Sequence, residues 1–435
     1  MNKNKYKILL ILAFVILNIF LLPSAGTSDV RTWEGIMGYY HQINLNEFVS
    51  SCLNYQCPTP TNYPPLHIII AFLFAKILPL NLIGSLLTVK IMILLFFLLS
   101  LFILIFFNKG IRNINKSNSL NNLDLALIYL SCFSIIFNAQ GLGYTDVLLL
   151  PFFVLTILFL FKNKFILTGL FYSLSFLIKW QPLILLPLII IYILMLKSPK
   201  LLFVNLIHFI FGLLIPFPFL FLLNNNIIYF LSTTFKLALT DQILSAALNT
   251  QWIVTYFLHF YQPYLYGPFL EGFIEYISYF NGNFIPHQLL ILPKLLFFSI
   301  YSLILLRFVS FNGYGQRYFY NFLFTSYVIY TSYFMISSAV HENHLFLAVI
   351  LALLLFILHP TRINRLLLLA TDIIAFINMF IYYGFTGQPV IPRVVNGVDI
   401  TLYLAIIFSL LYFILLFNYL FPSFPHKLQK IQRGN

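Results

Sequence analysis

Charge is what this chain lacks. Of its 435 residues only 8% are Asp, Glu, Lys or Arg, against about 25% in soluble domains. A water-soluble globular protein is thereby excluded. Acids are the scarcer sign, 11 against 24 Lys and Arg, which leaves a net charge of +13. Cysteine is nearly missing as well, with three in the whole chain, so a disulfide-dense scaffold is excluded. A thiolate metal centre would need more ligands than Cys52 and Cys57 supply in the segment CLNYQC. Apolar–polar alternation is also lacking, and with it the signature of a transmembrane β-barrel.

What is present is apolar mass. The chain is 61% hydrophobic and 19% aromatic, with 51 Phe and 28 Tyr, and runs such as IMILLFFLLSLFILIFF are continuous. At about 20 residues per crossing, this predicts an all-α polytopic bundle of about 12 transmembrane helices with an outer cap of interfacial helices and loops. The surplus of Lys and Arg sits in ones, twos and threes at the ends of apolar runs. That is the positive-inside pattern rather than a nucleic-acid surface, so no nucleic-acid partner is expected.

Topology follows from the same charges. The opening MNKNKYK with its apolar run resembles a signal peptide and is read as an uncleaved first span with a cytoplasmic start. The polar stretch from Ser24 onward then lies outside. The run LHIIIAFLFAKILPLN is short for a span and is read as an interfacial helix. A crossing there would place Lys109, Arg112 and Lys116 outside. The chain is thus one integral membrane domain over 1–435, with a first outer loop at 24–81 and a long outer loop at 224–288. In this topology every acid but Asp124 and Asp372 faces outward, and the chemistry is expected on that face.

Five constellations stand out there. Asp29, in AGTSDVRTW, reads either as the start of a helix or as a catalytic carboxylate near the end of a span. Asp146, in QGLGYTD, reads as a cap or as part of a polar site. Lys179, in LIKWQP, is costly at a helix end without an anionic partner, for which a lipid phosphate and snorkelling are the two readings; Arg393 poses the same pair. His341-Glu342-Asn343-His344 sets two imidazoles three residues apart on one helical face. The spacing differs from that of a zinc protease and suits donors to a phosphate oxygen, with ordinary interfacial polarity as the alternative. Cys52 and Cys57 lie outside the cytoplasm, where a disulfide is permitted and two free thiols are the alternative.

Several segments, GTSDVRTWEG, NYPPLHIIIAFLFAKI, NAQGLGYTDVLLLP, LIKWQPLILLP, ILSAALNTQW and SAVHENHLF, in this order, resemble the GT-C superfamily of integral membrane glycosyltransferases. The resemblance is to the members that take glucose or mannose from polyprenyl- or dolichyl-phosphate carriers. It implies a multi-pass integral membrane hexosyltransferase, in the cell membrane if the source is prokaryotic, with its active site on the outer face. The acceptor would be a hydroxyl of a lipid-linked glycan, glycolipid or wall polymer. Asp29 would be the general base of an inverting displacement. Asp146, Lys179, Asn249, Trp252, His341, Glu342, His344 and Arg393 would bind substrate. Many members pair two acids closely in the first loop, whereas here Arg31 and then Glu34 follow Asp29. That departure leads to an expectation of one carboxylate acting without a metal or other cofactor. A polytopic transporter or lipid flippase is the alternative, with Lys90 and Asp372 as its mid-span charges. A non-catalytic assembly subunit is a third reading.

Overall fold

A computed structural model describes residues 3–54, 63–112, 120–196, 199–239, 243–267, 274–277, 285–311, 315–385, 387–390 and 394–421. The chain divides into two compact units, one of 1–241 with 352–390 and one of 242–351 with 391–435.

Both units are built of helices, and this is a membrane protein. Six helices are long and apolar enough to cross a bilayer: Asn4–Leu21, Ser85–Ile111, Phe203–Leu223, His287–Val309, Arg362–Tyr383 and Ile400–Leu420. Their outer faces carry large apolar side chains, such as Leu95, Leu99, Phe102 and Phe106 on one helix, which water would not tolerate in such density. A seventh crossing exists if Asn122–Ser131 and Phe133–Gly141 count as one span, bent by 62°.

Other apolar runs fold differently from a simple span. Val147–Phe161 and Pro182–Leu196 each open with a 3-10 turn, Thr145–Leu149 and Gln181–Leu185, before the α-helices Leu150–Phe161 and Leu186–Leu194. Proline at the first or second helical position fixes each junction, because its missing N–H costs nothing there. Twelve α-helical residues rise only about 18 Å, short of a hydrocarbon core of about 30 Å. Phe165–Phe176 and Phe346–Leu358 are comparably short.

In the first unit the polar stretch after the first span is helical. It forms Ser28–Gln42, Leu45–Ser51 and Pro65–Ile77, and Ser28–Gln42 packs on both Pro65–Ile77 and Ser85–Arg112. Trp33, Met37 and Tyr40 supply its buried face. Cys52 is buried in the turn that follows, while Cys57 lies outside the described residues. Phe165–Phe176 crosses Pro199–Leu214 at glycines: a Cβ on Gly169 would stand 2.1 Å from the Phe209 carbonyl oxygen, and one on Gly212 would stand 2.0 Å from that of Ile166. Small residues allow this approach where no hydrophobic effect drives helices together.

The bend at Cys132 is capped by a carboxylate. Asp372 accepts the backbone N–H of Phe133 at 3.1 Å, that of Ser134 at 3.0 Å and the Ser134 hydroxyl at 2.5 Å. In this unit Lys7 also pairs with Asp124 at 2.5 Å.

The second unit packs Gly315–Ile336 against His287–Val309 and Ile400–Leu420. Tyr412 donates to Ser332 Oγ at 3.0 Å, and Thr325 and Tyr419 share a bond of 2.9 Å. Ahead of the last helix, Val394–Val395 and Val398–Asp399 form a two-residue antiparallel hairpin. Its turn residues Asn396 and Gly397 both have positive φ, as a tight hairpin turn requires.

Candidate functional site

Three of the residues singled out in the sequence come together in the first unit. Asp29 lies in the first turn of Ser28–Gln42, one residue inside it, and is exposed. The capping position belongs to Thr27, whose side chain makes no capping bond. A carboxylate here sits at the positive end of the helix dipole.

Asp146 is almost fully buried in the 3-10 turn Thr145–Leu149, where Tyr144 rather than Asp146 precedes the turn. Its partner is Lys179: the two side chains form a short, charge-assisted ion pair, with Lys179 18% and Asp146 1% exposed. The anionic partner that Lys179 required is therefore within the chain. Burial works against the ammonium charge, but the Asp146 carboxylate outweighs it, helped by Tyr63 and Asp29, and the lysine pKa moves up. Lys179 is held as a cation.

Tyr63 completes the group. The Lys179 ammonium lies 5.4 Å from the centre of its ring. Burial raises the phenol to about 12, the lysine charge opposes this, and the charges of Asp29 and Asp146 add to the rise. Asp29 therefore acts electrostatically on both Lys179 and Tyr63. The Tyr-Pro-Pro segment brings Tyr63 here because Pro64 and Pro65 start the Pro65–Ile77 helix abruptly. Leu66 N–H then bonds Leu177 O at 3.0 Å, and His67 Nδ1 bonds Ile178 O at 3.2 Å. Tyr63 and His67 were missed as site residues in the sequence. The signal was the adjacency of an aromatic, two prolines and a histidine in one short stretch.

A second layer fixes Asp29 against the turn that leads to Asp146. Thr27 N–H donates to Leu142 O at 3.1 Å. Gly26 and Gly143 have φ of +66° and +72°, and side chains there would collide with Leu142 O at 2.7 Å and Val30 Cγ2 at 2.5 Å. Beneath them, fully buried Lys90 donates to Gln140 O at 2.6 Å and to Ser24 Oγ at 3.1 Å.

The remaining candidates belong to the second unit. Asn249 caps Thr250–Tyr261: its Oδ1 accepts from Trp252 N–H at 3.1 Å and Ser245 Oγ at 2.9 Å, and its Nδ2 donates to Phe334 O at 2.8 Å. Trp252 is fully buried and donates its indole N–H to Thr401 Oγ1 at 2.8 Å. Thr401 in turn donates to Asp399, which also accepts Ile274 N–H. His341 precedes the 3-10 turn Glu342–Leu345. Its N–H donates to His344 Nδ1 at 3.3 Å, so the neutral His344 ring carries its proton on Nε2. The two imidazoles stand 5.3 Å apart at 70°, and Glu342 is buried between them in sequence. Arg393 lies outside the described residues. Among the described residues, no three His, Cys, Asp or Glu side chains group as metal ligands.

No protein-family model and no curated protein matches this chain.

Proposed function

We propose that this chain is a membrane hexosyltransferase that moves glucose or mannose from a polyprenyl-phosphate carrier to a hydroxyl of a lipid-linked glycan, glycolipid or wall polymer. The observation that carries the reading is that exposed Asp29, at the head of Ser28–Gln42, lies near enough to the Asp146–Lys179 pair and Tyr63 to act on their charges. One carboxylate is accessible and one cation is fixed. Asp29 takes the proton of the acceptor hydroxyl as its oxygen attacks the anomeric carbon. The bond from that carbon to the phosphate oxygen breaks, the electron pair leaves with the phosphate, and the anomeric centre inverts. Lys179 retains N–H donors beyond the one directed at Asp146, and these face the charge that develops on the leaving phosphate.

The N-terminus is cytoplasmic in this reading and the Asp29 side is external. With the six long helices and the bent pair, the short apolar helices make up about a dozen membrane passes, Thr145–Phe161 and Gln181–Leu194 being lengthened by their 3-10 turns, and the helices of 24–81 lie at the outer interface. Lipid surrounds the bundle, and the carrier's tail lies along the apolar faces.

A carrier or flippase would need mobile charges within its spans. Lys90 and Asp372 are instead bonded to the backbone of their own unit, which favours the transferase. The test is Asp29→Asn protein in proteoliposomes with radiolabelled polyprenyl-phosphate glucose and mannose. Loss of a general base lowers transfer by about 100-fold or more. Undiminished transfer removes Asp29 from the mechanism, and substrate movement without transfer by the wild type replaces the reading with a transporter.

A further inference from the structure

His67 is the third residue of the Pro65–Ile77 helix and is completely buried. Its Nδ1 is bonded to the carbonyl oxygen of Ile178. A carbonyl can only accept, so Nδ1 carries a proton, and in the neutral ring Nε2 is an acceptor. Burial, and after it the Lys179 charge, hold the ring neutral. Nε2 has no hydrogen-bond partner among the described residues.

The ring cannot turn to find one. Trp33 stacks on it at 4.6 Å and 21°, Tyr63 leans on it at 4.4 Å, and the Ile178 bond fixes its rotation. A buried acceptor left without a donor is costly, and such groups in native proteins mark ligands or bound water. Here the ring touches Tyr63 and feels the charge of Lys179, both members of the proposed active site.

We infer that His67 Nε2 is a substrate-binding group that accepts a hydrogen bond from a sugar hydroxyl. The inference rests on the hexosyl-transfer reading and names the substrate group that this corner of the site takes. The chemistry excludes the carrier-linked phosphodiester, whose oxygens bear no proton and would meet a lone pair. A cationic ligand is disfavoured by Lys179. A hydroxyl both donates and is neutral, and it could come from the carried hexose or from a glycan acceptor.

The full chain is reconstituted in nanodiscs as the Asp29→Asn variant, which halts turnover, with 15N-labelled histidine. The Nε2 resonance of His67 is assigned by its loss in His67→Phe. Farnesyl-phosphate glucose, farnesyl phosphate, methyl glucoside and inorganic phosphate are titrated separately. The expected result is an unprotonated Nε2 signal that farnesyl-phosphate glucose moves saturably, while farnesyl phosphate and inorganic phosphate leave it unmoved. A shift with methyl glucoside alone supports the inference and assigns the hydroxyl to the acceptor side. A protonated Nε2 in the unliganded protein, a signal that no probe moves, or an equal shift by farnesyl phosphate overturns it.

Affinity gives a second measure. His67→Phe weakens farnesyl-phosphate glucose binding by about tenfold, one neutral hydrogen bond. His67→Gln, whose carboxamide oxygen still accepts, stays within about threefold. Equal binding by all three proteins also overturns the inference. The two readings fail separately: a saturable shift in a protein whose wild type transfers no hexose leaves the sugar contact and removes the enzyme. Transfer without a shift does the reverse.

Discussion

Asp146 and Lys179, 33 residues apart, are paired across the heads of two helices that each begin with a 3-10 turn and a proline. The pair is buried on the carboxylate side, so its members are unequal in what their loss exposes. Lys179→Met leaves a carboxylate in an apolar setting and lowers stability by about 3 kcal/mol. The double variant Asp146→Asn with Lys179→Met removes both charges and recovers most of that loss. Denaturation midpoints in detergent check the order: wild type, then the double variant, then Lys179→Met. A double variant as unstable as the single one would show that the pair is not the source.

The pH dependence of the same pair has a definite sign. The folded pKa of Lys179 lies above its ordinary value. Its contribution is therefore fully present below the unfolded lysine pKa of about 10.4 and is lost as pH rises through the folded value. The stability gap between wild type and Lys179→Met is expected to be flat from neutral pH to about 10 and to shrink above that. A gap that closes between pH 7 and 9 contradicts the assignment.

Asp372 is another buried carboxylate, and its work is to cap a broken helix. Asp372→Ala strands the Phe133 and Ser134 N–H groups, each at a cost of about 1–3 kcal/mol. Asp372→Asn keeps one acceptor oxygen and turns an amide N–H toward a donor, so it falls between wild type and Ala. Ser134→Ala loses only the hydroxyl bond and is the mildest, at about 1 kcal/mol. Unfolding curves that leave the Ala variant level with wild type would remove the capping role.

The membrane class was legible from scarcity of charge alone, and so was the polar character of Ser24 to Pro65. What the sequence could not display was pairing at a distance. Lys179 visibly needed an anion, but Asp146 and a lipid phosphate satisfy that need equally well on paper. Asp372 and Lys90 looked like mid-span charges with a transport role because their acceptors and donors, Phe133 N–H and Gln140 O, are backbone groups that sequence does not mark. Apolar runs were counted as spans, whereas 3-10 turns at Thr145 and Gln181 shorten their α-helical parts. His67 escaped notice since its tautomer depends on the Ile178 carbonyl.

Glycine contacts separate two effects of one substitution. Gly212→Ala sets a Cβ 2.0 Å from a backbone oxygen, and only a shift of the whole Pro199–Leu214 helix relieves it. The expected loss is about 3 kcal/mol, the upper range of overpacking. Gly35, within Ser28–Gln42, has open space where its Cβ would stand. Gly35→Ala therefore stabilises by about 0.5–1 kcal/mol through helix propensity and reduced chain entropy. Thermal unfolding of the two variants should move in opposite directions.

Lys90 holds the two loops that place Asp29 beside the Asp146 turn, because it donates to Gln140 O while Ser24 Oγ donates to both Gln140 O and Gly141 O. Lys90→Met removes a charged donor and leaves the Ser24 bonds as the remaining clamp. A hydrogen bond from a charged group contributes about 2 kcal/mol, so local opening of the Thr27–Leu142 bond becomes roughly 30-fold more frequent. Hydrogen exchange at the Thr27 amide reads this directly. In the transferase reading the same change lowers kcat with little effect on KM for the carrier, since Asp29 is misplaced and Lys179 is not. Lys90→Arg retains donors and charge but adds bulk beside Gly143, so it restores exchange protection only in part. If Lys90→Met exchanges at the wild-type rate, the clamp is carried by Ser24 and Thr27 alone.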